Sequence, residues 1–365
     1  MFNRGVAAVS VLVALIVTLG MLVIVPMGLR LIDETAGHAE HAEHAGQDVP
    51  AGPTGPAGPV VHAGPAAPRP PGLRLLARAW PLLAAPGVLA LWLPRSPLAA
   101  GSACLYALAT LALALHAPAR LAVTRSLVPA EVAVLTALVT PSVAGLALVA
   151  ERGGHALFGF EPGILALTVP HFHFAGFTAA LVAGLVCRTT GGRTARFAAL
   201  SVPLGTLLVL LGYFVDDWAE LAGALVLTAG MWAVALLTWR ELRTTAPDRV
   251  TRTLLGVSAV VLVATMLLAL SWALGEATGL PHPSLTWMAA THGLGNALGF
   301  ALCSLLAWRR LRALPKRHEA RTRPPLPRDA GNPGSPRDPG SPGDPRGPHA
   351  PRTAPHPTPR TELPA

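Results

Sequence analysis

His171 and His173, in the run Val169-Pro-His-Phe-His-Phe-Ala-Gly-Phe177, lie in an uncharged apolar stretch long enough to cross a lipid bilayer. His292 and Asn296 lie in a second such stretch, Met288-Ala-Ala-Thr-His-Gly-Leu-Gly-Asn-Ala-Leu-Gly-Phe300. Ionisable side chains at membrane depth carry a desolvation cost unless partners or water meet them, so they mark function by default. Three chemistries use such a set. The imidazoles can relay protons or meet a solute, because histidine titrates near neutral pH. They can ligate a divalent metal or a haem iron. Or they can act as interhelical glue, hydrogen-bonding across a bundle for roughly 0.6 to 2 kcal/mol each. Serine, threonine or asparagine would serve as glue at lower desolvation cost. A substrate- or proton-binding centre of His171, His173, His292 and Asn296 is therefore the leading reading. A haem or metal site using His171, His173 and His292 is the alternative, and no catalytic residue or obligatory cofactor stands out.

The elements that must position these residues are membrane helices. Mean hydropathy is +0.50, and 52% of residues are hydrophobic against 13% charged, a balance that sets the chain apart from soluble domains. Apolar spans can be drawn at 6–29, 75–93, 97–117, 129–150, 163–187, 195–214, 219–239, 254–275 and 286–308. Each is near the length that a hydrocarbon core of about 30 Å requires. None alternates with period two, which excludes barrel strands. The expected fold class is all-α, a polytopic transmembrane bundle of eight or nine spans. Its parts are a first transmembrane helix at 1–32, a His/Pro/Gly-rich linker at 33–72, the bundle proper at 73–312 and a Pro/Arg-rich cytoplasmic tail at 313–365. Linker and tail have too few large apolar residues to bury a core and are expected to be disordered.

Charge gives the orientation. Loops carrying Arg120 and Arg125, then Arg188, Arg193 and Arg196, then Arg240, Arg243, Arg249 and Arg252, and finally Arg309-Arg310, alternate with loops carrying Glu151 and Glu161, Asp216, Asp217 and Glu220, and Glu276. The positive-inside rule puts the first set and the C-terminus in the cytoplasm of a bacterial cell and the acidic set outside the plasma membrane. Counting back puts the N-terminus outside. The first apolar run is too long for a typical secretory signal. The net charge of +9 and pI of 11.0 then suit anionic lipid at the basic loops and tail. No helix-turn-helix, zinc-finger or aromatic–basic pattern points to nucleic acid. Cys104, Cys187 and Cys303 have no paired spacing and are expected to pack as small apolar side chains.

A weaker metal candidate lies in the linker, where His38, His41 and His44 recur every three residues with Glu40 and Glu43 between them. Ordering a linker costs about 1 to 2 kcal/mol per fixed residue, which favours a solvated spacer. The intramembrane set is better placed. From the acidic face, His171 and His173 lie about 13 to 16 Å deep and His292 about 10 Å deep at the α-helical rise. On regular helices, His173 shares a stripe with Gly176, Ala180 and Gly184, and His292 shares one with Gly295, Asn296 and Gly299. Small residues let membrane helices approach closely. The expectation is that the two seams meet, with His173 facing His292 and Asn296 fixing one imidazole. His171 then needs another neighbour or a local break at Pro170.

Pro170-His-Phe-His-Phe-Ala-Gly-Phe177, the Thr-His-Gly-Leu-Gly-Asn-Ala-Leu-Gly-Phe core ending at Phe300, and Val25-Pro-Met-Gly-Leu-Arg-Leu31 together resemble the YndJ-like bacterial membrane proteins, over roughly residues 5–310. The resemblance implies a multi-pass architecture. On activity it implies little, the family carrying at most the label of a possible transporter. His171-Phe-His173-Phe is also similar to the His-Phe-His-Tyr of haem-copper oxidase subunits, but the chain lacks their His-Pro-Glu-Val segment and His-His pair. Nucleophile elbow, P-loop and zinc-protease motifs are absent. The expectation is a carrier of a small solute, cation or proton past the His/Asn centre.

Overall fold

In the computed structural model, residues 2–33 and 72–322 are described, and among them nine helices are long and apolar enough to cross a membrane. They are α1 (Val9–Asp33), α2 (Leu73–Trp92), α3 (Pro97–Thr124), α4 (Pro129–Gly153), α5 (Pro162–Thr190), α6 (Gly192–Gly212), α7 (Asp217–Leu242), α8 (Arg249–Thr278) and α9 (Leu285–Ala313). These match the spans drawn from hydropathy. The linker, with His38, His41 and His44, and the tail beyond residue 322 lie outside the described residues. The described residues as far as His318 form one compact unit.

The helix ends follow local chemistry. Pro97, Pro129 and Pro162 open α3, α4 and α5, where a missing N–H costs no helical hydrogen bond. Side chains of Ser96, Asp216 and Asp248 accept the orphan backbone N–H groups of Ala99, Ala219 and Thr251. Gly154 and Gly279 close α4 and α8 at φ +71° and +74°, a left-handed conformation that a Cβ would oppose.

Burial separates the helices into a centre and a rim. Protein covers 83% of the apolar window of α5 but only 28% of that of α2, so α5 is the axis and α2 lies against lipid. Leu75, Leu82 and Leu89 accordingly stand exposed down one face of α2. Next to α5, α4 is pinned at both ends by buried charge. At its first turn, Glu131 accepts Nε and Nη2 of Arg120 at 2.8 and 2.9 Å and also meets Arg188. At its last, Glu151 meets Arg152 and, at 2.9 Å, Arg95.

Two further contacts fix neighbours. Helices α6 and α7 pack backbone on backbone in one antiparallel register: a Cβ on Gly205 would come 2.5 Å from Leu227, one on Gly212 2.5 Å from Glu220, and one on Gly223 2.5 Å from Val209. The first half of α1 touches the first halves of α5 and α9. Asp33 at its end bonds Arg74, and the Leu31 carbonyl accepts Arg312, so α1 runs in the same direction as α5 and α9.

Both histidine-bearing helices leave regular α geometry where the histidines sit. Segments Phe172–Thr178, Ala289–Gly293 and Gly295–Leu302 are π-helical, as is Gly20–Ile24 in α1. Pro170 cannot donate to the preceding turn, which accounts for the first of these. The π-helical turns of α1, α5 and α9 pack on one another. Such turns occur mostly at functional positions, because they leave backbone out of register and re-aim side chains.

Candidate functional site

His171 and His173 point to opposite sides of α5. His173 is fully buried. Its Nδ1–H donates to the Val169 carbonyl at 2.7 Å, which leaves Nε2 as the acceptor for the Tyr106 hydroxyl at 2.6 Å. Tyr106 in turn lies edge-on to Trp80, whose Nε1–H donates to the Met21 carbonyl at 2.9 Å. Gly20 brings α1 so close that a Cβ there would lie 3.2 Å from His173 Cβ. The imidazole therefore ties α1, α2, α3 and α5 together, with both nitrogens engaged. Sequence reading passed over Tyr106, although a tyrosine in mid-span signals a hydroxyl that needs a partner.

His171 faces a different space, a cavity of about 710 Å³ lined by residues of α1 and of α5 through α9. His292 and Asn296 line the same cavity. The expected meeting of His173 with His292 is not what the structure shows: His171 shares the cavity with His292, and His173 does not. The seams are close-packed, but each faces its sequence neighbour. Gly176 and Gly184 of α5 abut Thr140 and Ala130 of α4, while Gly295 and Gly299 of α9 abut Thr265 and Val261 of α8. Antiparallel helices joined by a short loop pack first on each other, and the small residues serve that contact.

The His292–Asn296 pair is built as expected and gains a third member. His292 Nδ1–H donates to the Thr265 carbonyl at 2.8 Å, the Asn296 amide donates to Nε2 at 3.1 Å, and the Thr265 hydroxyl donates to Asn296 Oδ1 at 2.8 Å. Every polar atom in this ring of bonds has its complement, which fixes a neutral imidazole in a single tautomer. His171, by contrast, has only an edge-on contact with Phe172 and no hydrogen-bond partner among the described residues. Of the three imidazoles it is the one whose ring nitrogens have no hydrogen-bond partner among the described residues.

The mouth of the cavity is formed where the loops before α5 and α7 meet the end of α8 and the start of α9. Phe160, Tyr213 and Phe214 come from the first two, and Asp216, Asp217, Glu220 and Glu276 supply its charge. Of the acidic residues noted in the sequence, Asp216, Asp217, Glu220 and Glu276 thus open onto the histidine centre, while Glu161 is not part of the lining and Glu151 is spent on Arg95 and Arg152. Glu276 pairs with His282 at 3.1 Å. Outside the spans, burial and the nearby Glu220 push the Tyr213 hydroxyl above the usual tyrosine range, so it stays a neutral donor at the rim.

The ligation reading meets two obstacles. His173 and His292 have both ring nitrogens committed, so each would have to surrender a hydrogen bond to bind a metal or haem iron. Among the described residues, no three His, Cys, Asp or Glu side chains converge to hold a metal ion. Cys104, Cys187 and Cys303 are free thiols.

A family model described as "YndJ-like protein" matches residues 60–300, which takes in both histidine segments and leaves out α1. Over 184 residues the chain is 27% identical to "Uncharacterized membrane protein YndJ" of Bacillus subtilis (strain 168), covering 49% of this chain and 33% of that relative. The chain thus spans about a third of that relative's length. No solved structure matches.

Proposed function

The chain belongs to the YndJ-like family of membrane proteins, and from that premise we propose that it carries a small solute or cation across the bacterial plasma membrane by way of the cavity, with His171 as the group that meets the cargo. The observation behind this reading is one continuous space that joins an acidic mouth to an uncommitted imidazole halfway down the bundle. A volume of about 710 Å³ lies in the range of small-molecule sites, roughly 300 to 1,000 Å³, and a bare proton would need no such room. Asn296 and Thr265 hold the His292 ring within its own hairpin, where it forms part of the cavity wall that the cargo meets. In this proposal the acidic mouth faces outward, the basic loops and the C-terminus face the cytoplasm, and the basic loops rest on anionic lipid.

A carrier exposes its centre to each side in turn. With the native cysteines replaced, a single cysteine at Met231, deep in the cavity, should react with a membrane-impermeant thiol reagent added outside the cell. In inside-out vesicles it should react again when the reagent is added from the cytoplasmic side. Reporter fusions after Asp217 and after Arg193 fix which side is which, and are expected outside and inside respectively. Reaction from one side only, under every condition tried, would leave a binding pocket and remove the carrier.

A further inference from the structure

We infer that the cargo is an organic cation with an apolar body; this rests on the carrier reading and names the substrate class of the same cavity. Three features of its lining lead there. The charged side chains at its surface are Asp216, Asp217, Glu220 and Glu276, with no lysine or arginine among them, so an anion is repelled. The walls between this charge and His171 are apolar and aromatic, with Phe160, Tyr213, Phe214 and Trp272 around the outer half. Phe160 lies edge-on to both Tyr213 and Phe214, at 6.1 and 5.3 Å between centroids, and so presents a continuous aromatic surface. Aromatic faces attract cations and tolerate an apolar body, while they offer no oxygen ligands to an inorganic one.

The carboxylates are not equivalent. Asp216 is occupied as the cap of α7, and Glu276 is paired with His282. Asp217 and Glu220 have no ion-pair or hydrogen-bond partner among the described residues. Asp217 is exposed at the helix start, where a negative charge also favours the helix dipole. Glu220, a turn further in and half-buried, faces the cavity with Glu276 of the neighbouring helix. Its charge is the one that gains most from a cation, because the site is partly shielded from water. An aromatic or alkyl body then extends inward toward Met231, Met266 and His171.

Charge can be separated from shape with two water-soluble probes, benzyltrimethylammonium and benzylsulfonate. In calorimetry on the full chain in nanodiscs of neutral lipid, the ammonium probe should bind and the sulfonate should bind about tenfold more weakly or not at all. Glu220→Gln, which keeps shape and removes charge, should weaken the ammonium probe about tenfold, and Glu276→Gln should weaken it less. Equal binding of the two probes, no binding of the ammonium probe, or an unchanged affinity in both variants would overturn the inference. The comparison of probes on the unaltered protein stands even if a variant fails to fold. Two-sided reactivity at Met231 needs no ligand, so the carrier reading can survive a negative result here.

Discussion

At the scale of single residues, two histidines separated by one phenylalanine have taken opposite roles. His173 is a structural bolt, and the Tyr106 hydroxyl is its only partner at Nε2. Tyr106→Phe should leave that buried nitrogen unsatisfied and cost about 1 to 3 kcal/mol of stability, read as a lower unfolding temperature, with ammonium-probe affinity unchanged. His171→Gln should do the converse, keeping the unfolding temperature and weakening the probe. If Tyr106→Phe abolished binding while leaving the fold intact, the two histidines would have to exchange roles. The sequence pointed to these residues because imidazoles in an apolar run are conspicuous. It could not say which one faces the cavity, since the change from i+4 to i+5 hydrogen bonding in a π-turn leaves no mark in composition and alters the rotation on which a stripe argument depends.

At the scale of elements, small residues announce a close approach without naming the helix that approaches. The stripes containing Gly176 and Gly299 are both real contact seams, and each serves the helix that precedes it in the chain. The tightest seam, Gly205 and Gly212 against Gly223 and Gly230, is written at seven-residue spacing on both sides of the Asp216 turn, and that symmetry is the signal by which it could have been found. Gly223→Ala should destabilise by roughly 1 to 3 kcal/mol, because the new methyl meets backbone of Leu208 and Val209 that cannot rotate away. Gly101→Ala on α3, where nothing lies within 4 Å, should instead be neutral or gain about 0.5 to 1 kcal/mol from helix propensity. Equal effects at the two sites would mean that the α6–α7 contact is looser than described. The start of α8 adds a pH dependence. The backbone N–H and hydroxyl of Thr251, helped by Arg310, hold the Asp248 carboxyl below its ordinary range. A depressed carboxyl stabilises above the unfolded value of about 4 and loses that contribution as pH falls through its own lower value. Amide exchange at Thr251 should therefore quicken at acid pH beyond the intrinsic trend, and Asp248→Asn should remove the excess.

At the scale of the whole molecule, the nine spans and the acidic loops were legible because length and charge are carried by composition alone. The Arg120–Glu131–Arg188 and Arg95–Glu151–Arg152 groups, built on the buried carboxylates Glu131 and Glu151, were not, since their residues read as ordinary loop charge until the helix ends meet. Together they fasten α4 to α2, α3 and α5 at both membrane faces. The bonds around His292 are fastened differently. All three close within the α8–α9 hairpin, and none crosses the cavity to α5. The molecule thus resembles a door frame and a leaf: the hairpin can swing as one piece, carrying His292 toward or away from His171, without breaking a polar bond in its own latch. Spin labels on α5 and α9 should report a distance distribution that broadens or splits, and labels on α4 and α5 a single narrow one. A narrow distribution for both pairs, with and without the ammonium probe, would make the hairpin part of the frame.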